Sequence, residues 1–102
     1  MNRVVVTGIG LLTTLGTDYK KSWEGLINTC SGIKKISSFD TSDLPCKIAG
    51  YLSSDPSDDN YFDILSFLDA KEIKRNDRFI QYGLVAAKMA VEDSGINNLS
   101  DE

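Results

Sequence analysis

Lys71, Lys74, Arg75 and Arg78 stand at i, i+3, i+4 and i+7, so a helix through them lines four cations along one face. Such a stripe attracts a carboxylate-rich protein or a phosphate, even from a chain that is acidic as a whole. The plainer reading is a solvated face carrying helix ion pairs with Asp69, Glu72 and Asp77. Near the start of one long helix these cations oppose the dipole, at about 0.3–1 kcal/mol each. Gly8-x-Gly10 after Val4-Val-Val suggests a phosphate-cradling turn. The dinucleotide fingerprint needs a third glycine three residues beyond Gly10, and Thr13 stands there. A helix starting after Gly16 would also not aim its N-terminus at a pyrophosphate on this loop. A small nucleotide-binding α/β protein is therefore the weakest reading, and a glycine exit from a buried strand the better one.

The thiols are Cys30 and Cys46. A reactive thiolate needs a cationic neighbour or a helix N-terminus, whereas Cys30 follows a helical stretch and Cys46 heads a strand-like one. Both are expected to be small hydrophobes in a reducing compartment. The chain has no histidine, so it holds no imidazole for acid–base work, and a zinc set runs out of ligands. No catalytic residue, metal or cofactor is expected from these residues.

With 102 residues, 41% apolar and 25% charged, the chain has room for one small globular domain, residues 1–102. A net charge of −4 argues against a nucleic-acid partner. No apolar run reaches bilayer length and Met1-Asn-Arg-Val has no cleavage-site character, so the expectation is a cytoplasmic chain without a membrane segment.

Five elements must carry these residues. Val4 to Gly10 reads as a buried strand, with glycines where the backbone turns. Thr17 or Asp18 can cap a helix whose apolar positions Tyr19, Trp23, Leu26 and Ile27 share one face, with Gly32 closing the segment. Residues 33–45 read as irregular, Cys46 to Leu52 as a short strand, and 53–63, with Asp55, Asp58, Asp59 and Asp63, as a solvated loop before a short helical piece at Ile64–Leu68. Asp69 with Glu72 forms a capping pair for a long helix from about Ala70 to Ser94, stopped by Gly95. From Phe79 to Val91 this helix is apolar on several faces, interleaved with Gly83, Ala86, Ala87 and Ala90. Such a helix must be buried all round, and its small residues would let another helix approach closely. A chain of this length cannot easily supply that cover, so self-association is expected.

Val4-Val-Val-Thr-Gly-Ile-Gly10, Trp23, Ser31-Gly-Ile33, Phe39-Asp40, Ile48-Ala-Gly50, Asp77-Arg-Phe-Ile-Gln-Tyr82, Ala86-Ala87 and Glu92-Asp-Ser-Gly95 follow one another in an order similar to the opening of the β-ketoacyl-acyl-carrier-protein synthases. The chain resembles most closely synthase II, the type II condensing enzyme of fatty-acid elongation. Thr14 in place of a common proline, Asn76 in place of a usual methionine, and the acidic 53–63 loop depart from that pattern. The resemblance implies the N-terminal part of a thiolase-like α/β fold: an incomplete mixed sheet, covering helices and one long, centrally buried helix. It implies an acyltransferase whose cysteine and two histidines perform a decarboxylative Claisen condensation, none of the three lying in 1–102. It implies a homodimer, and acyl carrier protein as partner, received by Lys71, Lys74 and Arg75, while Arg78 belongs to the Asp-Arg-Phe motif and is structural. The alternative is a non-catalytic remnant or carrier-protein interaction module.

Overall fold

The computed structural model describes residues 1–96; positions 97–102 of the expected unit lie outside the described residues. In chain order the elements are α1 (Tyr19–Ile27), β1 (Ile33–Lys35), β2 (Ile48–Gly50), a 3-10 turn (Ile64–Ser66), α2 (Ala70–Arg75) and α3 (Arg78–Ser94). They fall into two compact units, Thr13–Asp63 and Met1–Leu12 together with the chain from Ile64 onward.

In the Thr13–Asp63 unit, Asp18 caps α1 by accepting from the Lys21 amide at 2.8 Å. The turn before the helix is closed by backbone hydrogen bonds between Thr13 and Gly16. The Thr13 hydroxyl accepts from the Leu15 amide at 3.1 Å and shares a 2.7 Å hydrogen bond with the buried Ser22 hydroxyl. Thr13, at the position of the missing third glycine, is thus a turn latch. The apolar face of α1 is not covered as expected: Trp23, Leu26 and Ile27 are exposed. Helical periodicity decides which side chains share a face, but burial needs an opposing surface.

After α1 the chain reverses through Thr29, whose φ of 56° is left-handed. The Cys30 amide reaches back to the Gly25 carbonyl at 2.9 Å and the Thr29 amide to Leu26 at 3.1 Å. This is a Schellman ending, which glycine usually supplies. A β-branched residue there carries a steric cost, so Thr29→Gly is expected to stabilise the chain by about 0.5–1 kcal/mol after glycine's greater unfolded-state freedom is counted. Urea titration checks this, and a lower midpoint for the variant would count against the strain.

Residues 33–45 are not wholly irregular: β1 pairs antiparallel with β2, Ile33 opposite Gly50, Lys34 opposite Ala49 and Lys35 opposite Ile48. Three residues containing two lysines carry no alternation to announce a strand, and their pairing comes from the partner. The acidic 53–63 loop is tied rather than simply solvated. The Ser53 amide donates to Asn60 O and the Phe62 amide to Ser53 O, both at 2.9 Å. The Asn60 carboxamide, buried, donates to Tyr51 O at 2.7 Å. Backbone and side-chain hydrogen bonds from Ser57 hold the Asp55 carboxyl below its ordinary pKa.

In the other unit the strand expected at Val4–Gly10 does not form. The segment has no ladder partner among the described residues, and Val4 and Val6 are 91% and 80% exposed. A β-branched run selects extended backbone, but a strand exists only when another strand receives its N–H and C=O groups. The sheet among the described residues is accordingly the two-stranded antiparallel hairpin, not a mixed sheet. The glycines do not serve a left-handed turn either, since among the described residues the glycine with positive φ is Gly95. They serve close approach: a Cβ at Gly10 would collide with the Ala86 carbonyl oxygen, and one at Gly8 with that of Ala90. The small residues of α3 therefore admit the N-terminal segment. The Ile9 amide adds a 2.9 Å hydrogen bond to the Asp93 carboxylate.

The expected single helix from Ala70 to Ser94 is two helices, broken at Asn76 and Asp77, both extended. Gly95, at φ 71°, ends α3 as the sequence indicates. The centrally buried helix is corrected as well. Val85 is fully buried, but it is the one buried residue of α3, while Phe79 is 73% exposed and Ile80, Leu84 and Val91 are exposed too. Cys30 and Cys46, expected as small hydrophobes, are free and exposed. Among the described residues no helix is long and apolar enough to cross a membrane.

Candidate docking site on the second helix

The six residues of α2 could not hold a helix by propensity alone. A capping box secures the first turn: the Glu72 amide donates to the Asp69 carboxylate at 2.8 Å, and the Asp69 amide to the Glu72 carboxylate at 3.3 Å. At the other end, polar side chains take over the carbonyls that the break would orphan. The Asn76 carboxamide donates to Glu72 O at 2.8 Å. The Gln81 carboxamide reaches back from α3 to Asn76 O at 2.8 Å and Ile73 O at 3.1 Å.

The break changes the electrostatics of the cationic stripe. Lys74 and Arg75 lie in the last turn of α2, where the dipole favours cations, not in the first turns of one long helix where it would oppose them. Arg78 begins α3, so the four cations do not share one helix face; Lys71, Lys74 and Arg75 remain together on α2. All four side chains are exposed. Among the described residues no carboxylate lies within ion-pair distance of any of them. Glu72, the acid expected to neutralise the stripe, is taken by the cap and by Lys88, whose Nζ is 3.9 Å away. The solvated face therefore lacks the ion pairs assigned to it, and three uncompensated cations project from one short, anchored helix.

Sequence reasoning missed Gln81, Asn76 and Lys88. The Asn76-Asp77 dipeptide was the available signal, because both side chains compete with helical backbone for hydrogen bonds. In the Thr13–Asp63 unit the Cys46 thiol donates to Ile48 O at 3.3 Å within its own hairpin.

A chain with a glycine-bearing segment laid on an Ala-rich helix and a bare basic helix before it belongs, by sequence, to a defined class: it is a member of the β-ketoacyl synthase family, matching the description "Beta-ketoacyl synthase, N-terminal domain" across residues 1–102. It is 40% identical over 95 residues to the 3-oxoacyl-[acyl-carrier-protein] synthase 2 of Staphylococcus aureus (strain COL), a match covering 93% of this chain and 21% of that protein. It is 39% identical over 92 residues to the protein of the same name from Synechocystis sp. (strain ATCC 27184 / PCC 6803 / Kazusa), covering 90% and 20%. The chain thus spans about a fifth of the length of these relatives. Among solved structures, the ishigamide ketosynthase/chain length factor superposes with a TM-score of 0.74 at 28% identity, covering 95% of this chain and 22% of that one. The fold is that of the N-terminal part of a ketosynthase, thiolase-like.

Proposed function

We propose that this chain, residues 1–102, is the N-terminal segment of the first thiolase-like half of a β-ketoacyl-acyl-carrier-protein synthase II working in the cytoplasm as a homodimer, and that its own task is to receive acyl carrier protein on Lys71, Lys74 and Arg75. The observation that carries the docking role is that those three cations are exposed and, among the described residues, have no ion-pair partner, on a helix anchored at both ends. An acidic partner gains three attractions there and displaces no internal carboxylate. In the reaction of such a synthase an acyl group sits as a thioester on a cysteine. Malonyl-carrier protein loses carbon dioxide, the resulting enolate carbon attacks the acyl carbonyl, the carbon–carbon bond forms and the thiolate leaves. Fixed hydrogen-bond donors stabilise the charge that develops on oxygen.

The 102 residues by themselves have no imidazole to assist those steps. That observation favours a second reading of the isolated chain, as a non-catalytic carrier-protein interaction module. The expected result is no release of carbon dioxide above background when the chain is incubated with acyl- and malonyl-carrier protein. Release abolished by Cys30→Ala or Cys46→Ala would instead place a nucleophile within the segment.

A further inference from the structure

The break between α2 and α3 leaves a short basic helix attached through two extended residues, and the direction in which it points is set by a few polar contacts. We propose that Gln81, with Asn76, is a positioning pair that fixes the angle at which α2 presents Lys71, Lys74 and Arg75; the inference rests on the docking reading of those three cations. Gln81 sits in the first turn of α3 and donates through one nitrogen to Ile73 O and Asn76 O, one acceptor inside α2 and one at the break itself. Asn76 closes the same junction by donating to Glu72 O. Gln81 and Asn76 are half-buried, so these bonds are partly shielded from competing water. Lys88 adds an outer tie, its Nζ donating to Phe67 O at 2.9 Å beside Glu72.

The physical consequence concerns the three cations as a set. Each attracts an acidic partner weakly, and their joint effect requires that all three face it at once. Without the Gln81 donor, Ile73 O and Asn76 O must turn toward water, and α2 is free to swing on residues 76 and 77. The charges remain, but fewer engage together.

The test tethers the 102-residue chain sparsely to a sensor surface, so that chains stay apart, and flows acyl carrier protein of Staphylococcus aureus over it. Binding capacity reports the folded fraction, while Kd and its salt dependence report docking by that fraction. Gln81→Met keeps the length of the side chain and removes its donor; Asn76→Ala removes the second tie and leaves Gln81 in place. Each is expected to raise Kd about fivefold, the size of one lost hydrogen bond, and to flatten the slope of log Kd against log salt. Unchanged Kd and slope in both variants, with Lys71→Glu/Lys74→Glu/Arg75→Glu still abolishing binding, would overturn the positioning role and leave the dock intact. A loss of capacity alone, at wild-type Kd and slope, also overturns it, because that is what simple destabilisation does. If the triple substitution leaves binding unchanged, the docking reading fails and the inference falls with it.

Discussion

Changing Lys71, Lys74 and Arg75 together to Glu is expected to raise the KM for acyl carrier protein by about a hundredfold in a complete synthase that carries this N-terminus. Each swap replaces an attraction with a repulsion at about 1 kcal/mol, and three make roughly 3 kcal/mol, at 1.4 kcal/mol per decade. The loss should fall on association with the carrier, leaving turnover of acyl and malonyl groups on small thiols unchanged, because these side chains are exposed and their proposed role is docking alone. Wild-type docking should weaken as salt shortens the range of the attraction. Arg78→Glu should cost less than any one of the three, since Arg78 heads α3 and is separated from them by the break. A carrier KM indifferent to both charge reversal and salt would return α2 to a solvated face.

At micromolar concentration the 102-residue chain should self-associate. Phe79, Ile80, Leu84 and Val91 of α3 are exposed, and Leu84, Ala87 and Val91 line an apolar groove on that helix. Covering a large apolar side chain fully stabilises by about 1.5–3 kcal/mol, so a second copy that covers even some of this surface recovers several kcal/mol. Exposed Trp23, Leu26 and Ile27 on α1 push in the same direction. Light scattering should report particles larger than one chain, and Leu84→Lys with Val91→Glu should shift them toward monomer. A monodisperse wild-type monomer that unfolds cooperatively and binds no hydrophobic dye would sink this expectation.

The local signals held where a single residue decides a single hydrogen bond. Asp18 caps α1, Asp69 and Glu72 form their box, and Gly95 closes α3 in the left-handed region. The proposed docking residues were legible as a set because Lys71, Lys74 and Arg75 have helical spacing whether the helix is long or short. Where Arg78 belongs was not legible from spacing. A helical repeat continues across Asn76 and Asp77, and only the three-dimensional geometry shows Gln81 answering the carbonyls that a break there releases.

Sequence by itself determined which residues are apolar, which ends are capped and which cations stand together, since those depend on side-chain chemistry within a turn or two. It also carried the ordered motifs by which the chain joins the β-ketoacyl synthase family. Tertiary structure decided what each pattern is used for. Val4-Val-Val prefers extended backbone, yet without a neighbouring strand among the described residues it stays an exposed segment; its glycines let it lie against α3, where a Cβ would collide with a carbonyl oxygen. The apolar faces of α1 and α3 are written in the sequence, but whether they are buried depends on surfaces far away in the chain, and burial is a property of two surfaces rather than one.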